Sequence, residues 1–500
     1  MVASRMSPEN MGRYLVTPRV VPPLDPGFRP AVLARREIAR ELERFGSYSP
    51  VSLAVESPGG SVCVRDTAAF PDGHPDASVG HAFCERLVKF MLWSRGGSRI
   101  WVDGPTGVTE SLRRHYAEDA DGQFDSRVIG QTVYGKALEI HAAPRSSFPQ
   151  DRSTASHLGG HLDGCRIGFD LGASDRKAAA VRHGEVVFSE EIAWDPVNHE
   201  DPQWHFDQIM DSLRRAAAHL PRVDAIGGSS AGIYVDSEVR VASLFRSVPA
   251  DLFARRVEGL FRELRSAWGD IPLVVVNDGD VTALAGAMAA GVGGMLGVAM
   301  GSSEAAGYVT HDGGLTPWLN ELAFAPIDYR PDAPIDEWSG DRGCGAQYLS
   351  QQAVGRLLPA AGIDVDPASS LPEQLVLLQR LMSASDERAA RVYETIGTHL
   401  GYALLEYRDW YAFEHVLVLG RVTTGSGGDL IEAQARRVLE AESPGAEAAI
   451  SFHSVSERDK RHGQAVAAAS LASISSNRPL ADGEATRTSR GPSQPAGAGS

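Results

Sequence analysis

In the segment IPLVVVNDGDVTALAGAMAA, the apolar stretch 272–276 reads as a buried strand that ends at Asn277-Asp278 and passes into a helix of small residues. A carboxylate leaving the carboxyl end of a buried strand beside a helix N-terminus stands where open α/β sheets bind ligands. Asp278 is therefore a candidate general base; as an alternative it is an N-cap, a duty that Asp280 can take instead. A second acid, Asp170, closes the strand 166–170 of CRIGFDLGASDRKAAAV and precedes the small-residue turn Leu171-Gly172-Ala173-Ser174. Such a turn exposes main-chain N–H groups to an anion, and the acid can hold a hydrated cation. Taken alone, D-x-G-x-S is equally a tight turn whose Asp bonds its own backbone. Further strand ends rich in glycine follow: Gly227 to Gly232, then Gly301-Ser302-Ser303 in MLGVAMGSSEAAGYV, then the turn Gly420 to Gly428 in HVLVLGRVTTGSGGDL. An ordered set of glycine-rich strand ends with a strand-terminal acid among them can converge on one nucleotide.

These residues need elements to hold them. From residue 163 onward strands and helices alternate, the pattern of layered α/β architecture. Ahead of them, residues 31–145 read as a small α/β domain of unassigned role. It comprises a helix over AVLARREIARELERF stopped by Gly46, a hairpin turning at Pro58-Gly59-Gly60, a helix with Phe83, Leu87, Phe90 and Met91 at helical spacing, a short strand RIWVDG and a further helix. Residues 1–30 are a Pro-rich irregular lead-in that packs along a surface or stays mobile, 146–162 a linker, and 475–500 a Ser/Pro/Gly/Ala-rich tail expected to be disordered.

Whole-chain numbers bound the function. Five hundred residues imply several compact units, and 43% hydrophobic with 22% charged residues is an ordinary globular composition. Net charge is −16, and because residues 1–160 carry 19 basic against 18 acidic side chains, the acidity belongs to the remainder. That balance repels phosphate backbones, and no helix-turn-helix with a basic recognition helix is visible, so nucleic-acid binding is not expected. Four dispersed cysteines, Cys63, Cys84, Cys165 and Cys344, form no C-x-x-C pair. With no signal-peptide or membrane-spanning stretch read in the sequence, a cytoplasmic protein without membrane partners is expected.

The ordered motifs over residues 163–474 resemble the ROK family (repressors, unclassified open reading frames and kinases) of the actin-like ATPase and sugar kinase superfamily. The resemblance implies a two-lobed fold with ribonuclease H-like lobes: lobe I at 163–290, lobe II at 291–455, and a C-terminal helix, 456–474, returning to lobe I. It implies ATP and Mg²⁺ as cofactors, with Asp170 organising magnesium through water and Gly172, Ser174, Gly301 and Ser302 at the phosphates. Gly420, Thr424, Gly425, Gly427 and Gly428 would seat adenosine. VNDGDVTALAGA is similar to the family's N-D-x-N-x-x-A-x-G segment, which makes Asp278 the base toward a sugar hydroxyl and Asn277 a sugar contact. NELAFAPID stands at the G-E-x-G-H segment, so Glu321 is implied as a sugar-hydroxyl acceptor. The implied activity is phosphoryl transfer from ATP to a sugar or polyol, with a catalytically silent sugar-binding regulator as the alternative and homo-oligomerisation left open.

Departures from the family pattern carry expectations of their own. The family's histidine falls on Phe324, and its C-x-C-G-x-x-G-C cluster falls on EWSGDRGC, where Glu337 and Ser339 replace two thiols and Cys344 remains. One thiol cannot build a tetrahedral site, so no structural zinc is expected. A glutamate usual after the cluster falls on Ala346. Glu304 is expected to place a negative charge near the phosphates, as is Asp175, unless magnesium or Arg176/Lys177 offsets them. The aromatic stretch 406–415 reads as core, His157 and His161 as solvent-exposed linker residues, and 337–341 equally as a substrate loop or a surface turn.

Overall fold

The computed structural model describes residues 11–152, 158–445, 449–453 and 457–474, with side chains of the last helix from residue 463. His157 and the tail 475–500 lie outside the described residues.

The lead-in is a strap against the second lobe. Phe28 is fully buried, 4.7 Å from the His399 ring and 5.5 Å from that of Tyr348. Asp25 accepts from Arg330 at 2.6 Å and Arg356 at 2.9 Å. Burial alone would raise its pKa, but His399 and the two guanidiniums hold the carboxyl well below its usual range.

Helix α1 (Ala31–Phe45) buries Ala31, Ala34, Ile38 and Leu42 along one stripe. It ends because Gly46 turns left-handed at φ 68° and returns its N–H to Leu42 and Glu43. Strands β1 (Ser49–Glu56) and β2 (Val62–Ala69) form the expected hairpin, with Val55 opposite Cys63. Helix α2 (Ala77–Arg95), β3 (Arg99–Asp103), α3 (Thr106–Glu118), α4 (Ala120–Asp125), a wide helical turn over Ser126–Val133 and β4 (Glu139–Ala142) complete a sheet ordered β2-β1-β3-β4.

Lobe I is built on β5 (Cys165–Leu171), β6 (Asp175–Arg182), β7 (Glu185–Ala193), α5 (Pro202–Ala217), β8 (Ala225–Ser230), the small hairpin β9 (Ile233–Val235) and β10 (Glu238–Val241), α6 (Leu260–Ala267), β11 (Leu273–Asn277) and α7 (Asp278–Ala290). Its five-stranded sheet runs β11-β8-β5-β6-β7, with β5, β8 and β11 parallel and β6 and β7 continuing antiparallel.

Lobe II repeats that plan with β12 (Met295–Met300), β13 (Glu304–Val309), α8 (Gln351–Ala360), α9 (Leu371–Ser383), α10 (Glu387–Arg408), β14 (His415–Leu419), α11 (Ser426–Glu442) and β15 (Ser451–His453). Its order is β13-β12-β14-β15, again with the first strand paired antiparallel to the second and parallel to the following ones. The two lobes therefore share a strand pattern, with lobe I adding an outer antiparallel strand, β7, that has no counterpart among the described residues of lobe II; this is the two-lobed arrangement expected from the sequence.

Helix α12 (Glu457–Ala469) returns to lobe I. Its approach is possible because β5 and β8 carry glycines beneath it: a Cβ at Gly168 or Gly227 would stand 1.7 Å from the Ala465 or Ala468 carbonyl oxygen. The described end of the linker is tied down here too, with Gly159 and His161 donating to Leu471 and Ser470.

One expectation changes at this level. Residues 31–145, expected to form a domain of their own, share one contiguous apolar core with lobe II. Helix α2 is buried nearly all round because one face lies on its own sheet and the other on lobe II, where Phe90 stacks on Trp410 at 4.6 Å. Arg35 of α1 forks onto Glu406 of α10 at 2.9 and 3.0 Å. The stretch 406–415 is core, as expected, and much of its partner surface comes from the N-terminal residues. Among the described residues no helix is long and apolar enough to cross a membrane.

Candidate functional site

Parallel β5, β8 and β11 bring their carboxyl ends side by side, with Asp170 level with Ser229 and Ser230 level with Asn277. Asp170 is buried and accepts from the Ser229 hydroxyl at 2.7 Å. Lys177, its register partner on β6, stands 3.4 Å from Asp170 and 2.9 Å from Asp175. Burial raises the Asp170 pKa and Lys177 opposes the rise. Lys177 thus supplies the offset that Asp175 needs, whereas Arg176 leaves on the opposite face of the strand to Ser212 and Asp211. The tip is fixed by Trp194, whose indole donates to Gly172 O at 2.8 Å and whose N–H donates to Ser174 O at 3.1 Å.

Asp278 opens α7. The capping duty falls on Asn277, not on Asp280: the Asn277 Oδ1 accepts from Gly279 N at 2.6 Å and its Nδ2 donates to Gly232 O at 2.7 Å. Each end of the Asn277 amide makes one bond inside the protein, which fixes the orientation of the side chain. Asp280 instead accepts from Asn320 Nδ2 at 2.9 Å. Asp278 is half-buried, its pKa pushed up to about 6 by burial and then by the charge of Asp170. Tyr234, whose hydroxyl donates to Ser230 Oγ at 2.7 Å, is also within the field of Asp278, a neighbour the sequence reading did not single out.

Glu321 lies in the loop after β13, half-buried, and its carboxylate has no hydrogen-bond partner among the described residues. Burial, then Asp278, Asp280 and Glu304, push its pKa up to about 8. The loop is held from the N-terminal side: Asn320 N and Glu321 N donate to Ser94 O and Trp93 O, both at 3.0 Å, at the end of α2.

Glu304 departs from its expected place at the phosphates. It begins β13 with its side chain directed inward, 3% exposed, where Tyr407 donates to Oε1 at 3.0 Å. Burial pushes its pKa up to about 8, so it is neutral at pH 7 and adds no charge to an anion site.

The other glycine-rich ends form a second group on lobe II. Gly301 follows β12 and accepts from Gln351 N at 2.9 Å. Gly420 follows the adjacent β14 at φ 108°, and a Cβ there would stand 2.4 Å from Met300 O. Gly425 at φ 72° precedes α11, Gly428 packs against Thr423 O, where a Cβ would come within 2.0 Å, and Gly427 lies against the Tyr393 ring. Thr424 is exposed beside them, and Ser302 sits at the tip of the β12–β13 hairpin. The two groups sit on separate lobes, joined by no hydrogen bond or ion pair among the described residues. What joins the lobes is close packing of α7 on β13, where a Cβ at Gly279 would stand 2.4 Å from Ala306 O.

The family's metal cluster has no counterpart in these residues. Ser339 bonds Asp336, Cys344 is a buried thiol whose pKa burial pushes well up, and the neighbouring Asp341 is held by Arg86 at 2.9 Å and by the fully buried Lys89 at 2.9 Å. The donor set does not fit a zinc ion. Residues 337–339 form a turn with Glu337 and Trp338 exposed, as is Gly340 after it, in keeping with the surface-turn reading, and Asp341 at its end anchors the N-terminal unit. Phe324, at the family's histidine position, packs 4.5 Å from Trp93 and 4.9 Å from Trp338.

No family model and no curated protein matches the chain. Solved structures similar to it include a ROK hexokinase from Thermus thermophilus, at 19% identity and TM-score 0.48, covering 61% of this chain and 97% of that one. A ROK family glucokinase from Streptomyces griseus in complex with glucose and AMPPNP is similar at 21% identity and TM-score 0.46, covering 62% and 99%. A ROK family transcriptional regulator, a homologue of the E. coli MLC protein, is similar at 20% identity and TM-score 0.49, covering 61% and 78%.

Proposed function

We propose that this protein is an ATP-dependent carbohydrate kinase that transfers a phosphoryl group to a hydroxyl of a sugar or polyol, with Asp278 as the general base. The observation that carries the reading is the placement of Asp278: it leaves the last of three parallel strands at a helix start, half-open, beside Asp170 and the unpartnered Glu321. A base with a pKa of about 6 is ionised at neutral pH and accepts a hydroxyl proton as the transfer proceeds.

Hard oxygen donors at Asp170 and Asp278 suit magnesium, and the open, left-handed Gly425 at the start of α11 suits a nucleotide. Bound Mg-ATP supplies the phosphoryl group and neutralises charge as it moves. Asp170 would hold the metal through water; Gly172, Ser174, Gly301, Ser302 and the turn from Gly420 through Thr424, Gly425, Gly427 and Gly428 would hold the nucleotide. Lys177 balances the acids at the first tip, Glu321 accepts from an acceptor hydroxyl, and Asp278 orients and deprotonates the attacking one.

A second reading, a catalytically silent sugar-binding regulator, draws on one observation. Val133 of the N-terminal unit clusters with Ile233 of lobe I and Leu319 of lobe II, so the unit bridges both lobes. Such a tie resists the lobe closure that phosphoryl transfer requires. ADP release measured over a panel of sugars and polyols decides between them: turnover with any acceptor supports the kinase, and sugar binding without turnover supports the regulator.

A further inference from the structure

Where the N-terminal unit meets lobe II, a cavity of about 210 Å³ opens between β2 and the segments that follow β13 and α10. Cys63 and Arg65, two residues apart on β2 and so on one face of it, line the cavity with Trp318 and Trp410 of lobe II and with Arg95, the last residue of α2.

Arg95 is 6% exposed and forms no ion pair among the described residues. Its Nη2 donates to Trp410 O, and its guanidinium carbon lies 3.8 Å from the Trp318 ring centre and 4.3 Å from that of Tyr411. Nη1 has no partner. With aromatic rings against the guanidinium and a carbonyl on Nη2, the edge left for a ligand is the one toward Cys63, a thiol whose pKa burial raises and Arg95 opposes. The acids at the cavity do not supply the missing charge. Asp409 is taken by Arg35 at 2.5 Å, and Asp151 is exposed to water. Arg65 lies 4.8 Å over the Trp410 ring and donates to Asp409 O at 3.1 Å, which adds a second cation beside the first.

A guanidinium keeps its charge inside a protein, so burial is relieved by an anion and not by losing a proton. Aromatic faces offset that cost only in part. One carboxylate gives Nη1 an acceptor and the cavity a counter-charge, whereas a second negative charge on the ligand would meet Asp151 and Asp409. Valine and tryptophan walls, from Val62, Val64, Trp318 and Trp410, suit a short apolar chain. We propose that this cavity binds a small monocarboxylate, its oxygens on Arg95 with Arg65 beside them and its apolar chain against Trp318 and Trp410. The site shares no residue with the kinase reading and does not rest on it.

Calorimetric titration of the full chain at pH 7 in chloride-free buffer compares propionate with propionamide and malonate. Alkylation of Cys63, read by peptide mass, locates the site, since the other three thiols are buried. Propionate binds about tenfold or more tightly than either competitor. Iodoacetate, which carries the carboxylate, gains on neutral iodoacetamide at Cys63 by about tenfold or more relative to the same pair reacting with glutathione, and propionate slows both. Arg95→Met abolishes the preference and the gain. Propionamide or malonate binding as tightly as propionate, or an iodoacetate-to-iodoacetamide ratio at Cys63 no higher than that of glutathione, overturns the proposal, and these comparisons use the unaltered protein alone. A Cys63 that neither reagent modifies overturns it too, because the cavity must admit molecules of that size.

Discussion

Asp278 owes its chemistry to its surroundings: Asn277 takes the shorter bond from Gly279 N at 2.6 Å and leaves Asp278 Oδ1 a longer one at 3.1 Å, while burial, then Asp170 two strands away, raises its pKa to about 6. Asp278→Asn keeps the shape and removes the base, so kcat falls by roughly 10²–10⁴-fold while the melting temperature stays near that of the wild type. Because only the ionised carboxylate accepts the proton, kcat/KM rises with pH up to about 6 and levels off above it, a limb that Asp278→Asn loses. Glu304 makes a prediction of opposite character. Its folded pKa, raised from 4.5 to about 8, means that the folded state holds a proton that the unfolded chain releases, so its contribution falls as pH rises from about 4.5 to 8. Glu304→Gln therefore melts higher relative to the wild type at pH 8 than at pH 5.5, by a difference on the order of a few kcal/mol in unfolding free energy. Equal shifts at the two pH values would show that the carboxyl does not stay protonated in the fold.

At the scale of elements, small residues decide which surfaces touch. Gly168→Ala and Gly227→Ala each place a methyl against an α12 carbonyl at 1.7 Å, and α12 must shift off the sheet. Each costs about 3 kcal/mol or more in denaturant unfolding, whereas Gly313→Ala, with open space around its hairpin turn, costs only the strain of its φ of 84°. Strand ends, helix stops and the carboxylates at them were legible in the sequence, because Gly46 and the acid ending each apolar run act locally. The direction of Glu304 was not legible: it depends on which face of β13 the first residue presents, a parity set by pairing with β12. The cap at Asn277 was missed for a similar reason, since two adjacent residues both suit the position and tertiary contact with Gly232 selects one. The identity of α2's second face was hidden as well. Helical periodicity reports apolar positions, not the distant chain that covers them.

For the whole molecule, the chief consequence is that the N-terminal unit is part of the body. Lys89, fully buried, reaches 3.1 Å from Asp125 within its own unit and 2.9 Å from Asp341 of lobe II. Burial and the neighbouring Asp341 push Asp125 up to about 6, while Arg86 and Lys89 hold Asp341 well below the carboxylate range despite burial. Lys89→Ala leaves two buried acids short of a cation and costs about 3–5 kcal/mol, read from chemical denaturation. A single cooperative transition for the N-terminal unit and lobe II accompanies that loss, because one core serves both. The same unit holds the Glu321 loop through Trp93 O and Ser94 O, so its integrity sets the position of Glu321. The most direct test of the central claim is ADP release by the full chain with Mg-ATP and a panel of sugars and polyols, run beside Asp278→Asn. The account predicts acceptor-dependent release by the wild type that falls by two orders of magnitude or more in the variant. Release that no acceptor stimulates, or an Asp278→Asn variant that turns over at the wild-type rate, would contradict it.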